Sequence, residues 1–211
     1  CKDIRLKTVL RAPGGQKVAE RETALSPYDE GVFEQDFVVD RPLLWDCEHP
    51  NLYWADTEVY YQGRLSDTYQ TTFGIRTIEV VPEKGFLLNG KRLVFHGTCN
   101  HHDLGPLGTA VNMQAIRYRL KMLKDMGSNA YRTSHNMPSP ELVQACNEMG
   151  MLLMVETFDE WKAKKMANGY NKYYDEWVER DLVNVVRHYR NDPSVVMWCI
   201  GNEVPDQGSA Q

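Results

Sequence analysis

The chain has 211 residues, 42% of them hydrophobic and 25% charged, which is ordinary for a globular protein and long enough for two domains. Its formal net charge is −5 and it has no basic run, which argues against nucleic acid or an anionic membrane as a partner. No apolar stretch approaches the roughly 20 residues that a membrane-spanning helix needs. The chain begins at Cys1 without a signal-like segment, so we expect it to be cut from a longer protein.

The five cysteines are odd in number and form neither a CxxC pair nor a zinc-type spacing. A disulfide framework is therefore not expected, and the cellular compartment stays open. Three of the cysteines lie in apolar sequence surroundings, where a thiol behaves as a small hydrophobic group: Cys99, Cys146 and Cys199.

Residues 1–81 show only β-strand patterns. Apolar and polar residues alternate over 4–10, and the turn sequence Ala12-Pro-Gly-Gly15 follows. Further strands are predicted at 31–39, 51–61 and 68–75, with a turn at Gln62-Gly63. Short strands at about ten-residue spacing, rich in Tyr, Thr and Val, are typical of a β-sandwich, so residues 1–81 are predicted to form one.

Residues 82–211 begin with a hairpin and continue as alternating strands and helices. The hairpin at 86–95 is centred on Asn89-Gly90, the pair that two-residue type I′ turns favour. Helices are predicted at 112–126, 140–149 and 175–190, and strands near 97, at 129–132, at 151–155 and from 195. Repeats of about 30 residues are typical of βαβ units. Four strands with three helices fit either a small doubly wound sheet or the first half of a (β/α)8 barrel, and a chain ending just after the fourth strand favours the half barrel.

Polar residues cluster where each of these four strands ends. The clusters are 100–103, 132–136, 156–161 and 202–203. Polar loops after apolar strands would explain the polarity, but not why His, Arg, Glu and Trp dominate over Ser, Lys and Gly. Clusters at successive strand ends are instead what an active site at the top of a barrel requires.

The residue types in these clusters suit a sugar. Trp161, Trp198 and Tyr131 would supply flat apolar faces, and the carboxylates, amides and imidazoles would bond hydroxyl groups. Hydrolysis of a glycosidic bond needs a carboxylic acid that protonates the leaving oxygen and a second carboxylate that acts at the anomeric carbon. Glu203 is the candidate acid, because a carboxyl group at the mouth of an apolar strand is expected to be poorly solvated.

These residues resemble the signatures of glycoside hydrolase family 2, the family of β-galactosidases, β-glucuronidases and β-mannosidases. Trp198-Cys-Ile-Gly-Asn-Glu203 resembles its acid/base signature. Asn129-Ala-Tyr-Arg-Thr-Ser-His-Asn-Met-Pro138 is similar to its N-x-x-R-x-S-H-x-P signature, with one extra residue before the proline. Phe73-Gly-Ile-Arg76 is similar to its exit from an immunoglobulin-like sandwich into the barrel, and 97–103 to its first barrel strand. The resemblance implies an immunoglobulin-like sandwich (1–81) followed by the first half of a TIM barrel (82–211).

The resemblance also implies the roles of individual residues. Glu203 is expected to be the general acid/base of a retaining exo-β-glycosidase acting on glycosides or oligosaccharides. The substrate-binding residues are expected to be Asn202, His101, Asp103, Arg132, His135, Glu156, Asp159 and Trp161. The segment 156–161 resembles the β-galactosidase-like members. Lys162 stands where one metal-binding branch has a histidine, so no metal site and no cofactor is carried over. The full-length enzyme could form a homo-oligomer.

The family's nucleophile is a glutamate on a later barrel strand, which this chain is not expected to contain. Glu156 could substitute for it, because neighbouring strand ends bring carboxylates close, but the resemblance argues against this. The fragment is therefore expected to be inactive as cut. A β-glucuronidase or β-mannosidase is the alternative within the family.

Two alternatives come from other classes of protein. The first is a metal-dependent hydrolase that uses His96, His101 and His102, with Asp103 as a further candidate ligand, although their spacing fits no zinc signature. The second is a non-catalytic carbohydrate-binding module with an aromatic platform on the sandwich. The platform would consist of Trp45, Tyr53 and Trp54, whose alternation with polar residues is better explained by core positions.

Overall fold

The computed structural model describes residues 4–25 and 32–205. The chain divides into two compact units. The first comprises Cys1–Trp45 and His49–Arg76, and the second comprises Asp46–Glu48 and Thr77–Gln211. No helix in the described ranges is long and apolar enough to span a bilayer.

The first unit is built on one antiparallel sheet. Its strands are β1 (Ile4–Arg11), β2 (Lys17–Leu25), β3 (Tyr53–Tyr61) and β4 (Arg64–Phe73), in the order β2-β1-β3-β4. Gln62 and Gly63 both have positive φ in the turn between β3 and β4, as the predicted turn requires. Trp45 and Tyr53 are 0% and 2% exposed, so these two are core residues rather than a sugar-binding platform.

The strand predicted at 31–39 is wrong. Residues 32–39 form no regular structure, and residue 31 lies outside the described residues. This segment meets the sheet through a side chain, because Gln35 Nε2 donates to Leu6 O at 3.3 Å and to Thr23 Oγ1 at 2.9 Å. The strands that pair with β1 are β2 and β3, and the charge-rich, mostly exposed sequence of β2 carries no clear alternation.

The second unit opens with a small antiparallel sheet. Its strands are β5 (Ile78–Val81), β6 (Gly85–Leu88) and β7 (Lys91–Arg92), in that order. Asn89 and Gly90 join β6 to β7 with φ angles of 53° and 73°. Positive φ at both positions is the requirement of a type I′ turn, so the predicted hairpin is confirmed.

A parallel sheet with helical crossovers makes up the rest of this unit. The strands are β8 (Gly97–Asn100), β9 (Ala130–Thr133), β10 (Leu152–Glu156) and β11 (Val195–Cys199). The helices between them are α1 (Met113–Asp125), α2 (Pro140–Met149) and α3 (Tyr174–Tyr189). The strand order β11-β10-β9-β8 is strictly sequential. A doubly wound sheet reverses its order at a switch point, whereas a barrel adds each strand beside the last, so the sequential order supports part of a barrel.

The helix boundaries follow the capping residues in the sequence. Asn112 Oδ1 accepts from Ala115 N at 3.0 Å before α1, and Ser139 Oγ accepts from Leu142 N at 3.3 Å before α2. Gly150 ends α2 in the left-handed conformation, with φ of 68°. The helices pack on the sheet through a buried core that includes Leu120, Val143, Cys146, Leu153, Val155 and Val185. The sheet is therefore held on one side by a packed helical layer, and its strand ends are fixed in place.

Candidate active site

The centre of the candidate site is Glu156, the last residue of β10. Its side chain is 0% exposed, and a carboxyl group buried away from water needs hydrogen-bond partners. Arg132 of β9 donates from Nη2 to Oε1 at 2.8 Å, and His135 Nδ1 lies 2.9 Å from Oε2. The backbone N–H of Glu156 donates to Thr133 Oγ1 at 2.9 Å. These contacts join the ends of β9 and β10 through a buried carboxylate.

Arg132 extends this network to the end of β11. Its Nη2 also donates to Asn202 Oδ1 at 3.1 Å, and Asn202 Nδ2 donates to Asp159 Oδ1 at 3.1 Å. The hydrogen bond to Glu156 is the main reason that the pKa of Arg132 is raised above its usual value. Burial acts to raise the pKa of Asp159, but hydrogen bonds from Asn202 and Lys165, with the charge of Lys165, outweigh it and lower that pKa. Five of the predicted site residues thus form one network: Arg132, His135, Glu156, Asp159 and Asn202.

Glu203 is the residue after Asn202, and it lies at the solvent-exposed side of this network. Its side chain is 81% exposed, so the predicted poor solvation of this carboxylate is wrong for the chain as described. The strand ends at Cys199, and Glu203 lies in the loop after it with a left-handed φ of 49°. Among the residues that the structure describes, Lys165 forms an ion pair with Glu203, with Nζ 3.7 Å from Oε2. The candidate acid is therefore exposed to solvent and is not enclosed in a buried pocket.

His101 and Asp103 lie on the loop after β8, and only His101 reaches the network. The His101 ring meets the His135 ring edge-on, with the centroids 5.0 Å apart. Arg119 of α1 fixes this loop by donating to the carbonyl oxygens of both His101 and Asp103. The Asp103 carboxylate accepts from Gly105 N at 2.6 Å, so it stabilises its own loop.

The aromatic residues expected to face a sugar differ in exposure. Trp161 Nε1 donates to Ile200 O at 2.8 Å, which joins the loop after β10 to the loop after β11. A Cβ at Gly201 would come within 2.8 Å of the same Nε1, so glycine is needed for this close approach. Trp198 is 40% exposed, but Tyr131 is 2% exposed and belongs to the core between sheet and helices, so its predicted role as a platform is wrong.

Two of the three cysteines expected in apolar surroundings contact the polar network instead. Cys99 is exposed, and its Sγ accepts from Arg132 Nη1 at 3.5 Å. Cys199 Sγ lies 3.6 Å from Glu156 Oε1 and 3.3 Å from Gly201 O. Of these three, Cys146 alone is a buried thiol in apolar surroundings, and burial raises its pKa. The sequence suggested apolar surroundings for Cys99 and Cys199, but both lie at the ends of strands, where the polar network begins.

Sequence reasoning missed Lys165, which has more contacts to the site than several predicted residues. Its Nζ donates to Asp159 O, Asp159 Oδ1 and Asn202 O. Nothing in the sequence marks this lysine, because it lies in the run Lys162-Ala-Lys-Lys165 within a long loop. Only the fold of that loop distinguishes Lys165 from its neighbours.

The hypothesis of a metal-dependent hydrolase finds no support in the described residues. Within 4–25 and 32–205, no group of three or more His, Cys, Asp or Glu side chains is arranged to hold an ion. His101 faces His135, and the backbone N–H of His96 donates to Asn129 Oδ1.

Comparison with known proteins identifies the family of both units. A family model described as glycosyl hydrolases family 2 matches residues 1–76, and one described as glycosyl hydrolases family 2, TIM barrel domain, matches residues 78–210. A β-galactosidase of Bacteroides ovatus aligns with 98% of the chain at 44% sequence identity. A β-glucuronidase of Streptococcus agalactiae aligns with 76% of the chain at 34% identity. A solved structure of a family 2 glycosyl hydrolase from Bacteroides cellulosilyticus covers 99% of the chain with a TM-score of 0.90 and 35% identity.

The chain spans about a quarter of these proteins: 25% of the B. ovatus enzyme, 28% of the S. agalactiae enzyme and 27% of the solved structure. The two family matches follow each other along the chain in the predicted order, sandwich first and barrel second. The predicted fold class, a sandwich domain followed by part of a TIM barrel, is confirmed. The chain belongs to glycosyl hydrolase family 2.

Proposed function

We propose that the chain carries the acid/base part of a retaining exo-β-glycosidase of the β-galactosidase-like type. The observation that supports this most is the network that joins three successive strand ends, from Glu156 through Arg132 to Asn202, directly beside Glu203. Such a network holds the residue next to the acid in one orientation. Orientation of the reacting groups is one of the contributions that a rigid scaffold of this kind makes to a rate.

In the proposed reaction, Glu203 gives its proton to the glycosidic oxygen while a second carboxylate attacks the anomeric carbon. The bond between the anomeric carbon and the leaving oxygen breaks, and a glycosyl-enzyme ester forms. Glu203, now a carboxylate, then takes a proton from the water that hydrolyses this ester and returns to its acid form. We propose that the second carboxylate is a glutamate outside these 211 residues, which span about a quarter of the length of a relative.

Glu156 is less suited to the role of nucleophile. Its two oxygens accept from Arg132 and His135, and its side chain is 0% exposed, so neither oxygen is free to reach a sugar carbon. We assign it instead the positioning of Arg132 and His135. The residues proposed to contact the sugar are Asn202, Arg132, His135, His101, Asp159 and Trp161. Asp103 is the weakest of the predicted set, because its carboxylate is engaged in its own loop.

Two substitutions in the full-length protein test the acid role. Glu203→Gln should reduce hydrolysis of glycosides with poor leaving groups by orders of magnitude, and should reduce that of activated aryl glycosides far less. The reason is that an activated leaving group departs without a proton. Glu179→Gln on α3, where the side chain is exposed, is the matched control and should change neither rate. Equal losses on both classes of substrate would remove Glu203 from this role.

The sugar is proposed to be a terminal β-galactoside. The 44% identity to a β-galactosidase supports this, whereas the β-glucuronidase named above is 34% identical. Rates with aryl β-galactoside, β-glucuronide and β-mannoside, all with the same leaving group, distinguish the three. A galactoside rate below that of either other sugar would overturn the assignment.

A further inference from the structure

The loop between β10 and α3 contains a lysine at the centre of contacts between two strand ends. We infer that Lys165 is a positioning residue for the acid, holding the Asn202–Glu203 peptide in place, an inference that rests on the function proposed above. The residues 157–173 form this loop, which we name the β10–α3 loop.

The ammonium group of Lys165 has three donors and uses them on two loops. Nζ donates to the carbonyl of Asn202 at 2.5 Å, and to the carbonyl and Oδ1 of Asp159 at 2.6 and 3.1 Å. The Asn202 carbonyl belongs to the peptide bond that leads into Glu203. Fixing this carbonyl fixes the plane of that peptide, and hence the direction in which the Glu203 side chain leaves the backbone.

Glu203 needs such support because of its backbone conformation. A glutamate with φ of 49° is in the left-handed region, which costs free energy for a residue with a Cβ. The Lys165 ammonium also lies 3.7 Å from Glu203 Oε2, so a single cation contacts both the peptide and the carboxylate of the same residue. The Lys165 side chain is 20% exposed and the Glu203 side chain 81%, so the lysine is the more constrained partner.

A second buried carboxylate holds the loop from which Lys165 projects. Glu160 is 3% exposed, and it accepts from Lys165 N at 2.7 Å and from Asn171 N at 3.0 Å. A Cβ at Gly169 would overlap Glu160 Oε1, so glycine leaves room for this carboxylate. The backbone of Lys165 is therefore anchored by Glu160, and its side chain anchors Asn202.

Three variants of the full-length protein test this inference. Lys165→Met should lower kcat for a poor leaving group at least tenfold more than for an activated aryl glycoside, with KM little changed, because the acid is displaced while Arg132 and His135 keep their contacts to Glu156. Lys165→Arg keeps a cation and should recover part of the rate with the poor leaving group. Lys164→Met is the matched control, since Lys164 is the exposed neighbour in the same loop, and it should behave as the wild type.

Several outcomes would overturn the inference: equal losses for both classes of substrate, a loss confined to KM, or a Lys165→Met variant indistinguishable from Lys164→Met. If Lys165→Met does not fold, Lys165→Gln, which keeps an N–H donor without the charge, is measured against the same control. Glu203→Gln separates the two proposals. If that variant shows the dependence on leaving group and Lys165→Met does not, only the role of Lys165 fails; if neither shows it, the proposed function fails.

Discussion

Removal of Arg132 should destabilise the barrel unit more than removal of its partner Glu156. Arg132→Met leaves a carboxylate that is 0% exposed without its cation, and uncompensated buried charges of this kind cost about 3–5 kcal/mol. His135 remains 2.9 Å from the carboxylate, so we expect a cost near the lower end, about 3 kcal/mol. Glu156→Gln removes the buried charge and leaves Arg132, which is 26% exposed, in contact with water, so we expect about 1–2 kcal/mol.

The double variant Arg132→Met/Glu156→Gln distinguishes this explanation from simple loss of contacts. With a neutral amide at 156 there is no buried charge left to compensate, so the double variant should cost less than the sum of the single variants by about 2–3 kcal/mol. The assay is urea unfolding of the full-length variants, followed by tryptophan fluorescence. The partly exposed pair Arg117–Glu148, with side chains 40% and 31% exposed, is the control, and Arg117→Met there should cost no more than about 1 kcal/mol. Additive costs at Arg132 and Glu156 would refute the reasoning.

Two further predictions concern the loop and the end of α2. The hydrogen bond from Asn171 N is the main cause of the lowered pKa of Glu160 in the folded protein. The Glu160 carboxylate should therefore contribute its full stabilisation at pH values above its unfolded-state pKa of 4.5. This stabilisation should be lost as the pH falls through the lower pKa of the folded state. The difference in unfolding temperature between the wild type and Glu160→Gln should therefore be largest near neutral pH and vanish in acid; a difference independent of pH would contradict this. Gly150→Ala should lower stability by more than about 1 kcal/mol, because φ is 68° and a Cβ would overlap the Cys47 carbonyl. An unchanged urea midpoint would show that the backbone there adjusts freely.

The helices and parallel strands could be predicted closely because their local signals agree with one another. Asn112, Ser139 and Gly150 mark helix ends by hydrogen bonding and backbone conformation, and the predicted ends lie within one or two residues of those observed. The strand predictions that were wrong or missing in the first unit arose because the local sequence pattern there does not match the structure. Residues 31–39 alternate like a strand, yet 32–39 form none, and the exposed strand β2 has no alternation to reveal it. Pairing in an antiparallel sheet depends on partners distant in sequence, which a local pattern does not contain.

At the site, the positions could be predicted from the strand ends, but the contacts could not. The sequence places Arg132, Glu156 and Asn202 at neighbouring strand ends, and the structure joins them. It does not reveal that Tyr131 faces the core while Arg132 faces the site, because a strand of four residues gives too short an alternation to assign its faces. Nor does it reveal Lys165, whose role depends on how a loop folds back on the strand ends.

The sequential order of the parallel strands has a consequence for how the site assembles. Each strand of the parallel sheet pairs with the strand that precedes it in the chain, so every pairing closes a loop of only one βα unit. The loop-closure entropy lost in each pairing is therefore smaller than it would be for strands more distant in sequence. The Glu156–Arg132 contact spans 24 residues, and the contact to Asn202 spans 70. On a ribosome, which delivers the chain from its N-terminus, the ion pair between β9 and β10 would form before β11 and the following loop, which carries Glu203, have emerged. The acid would then arrive at a site whose charges are already paired.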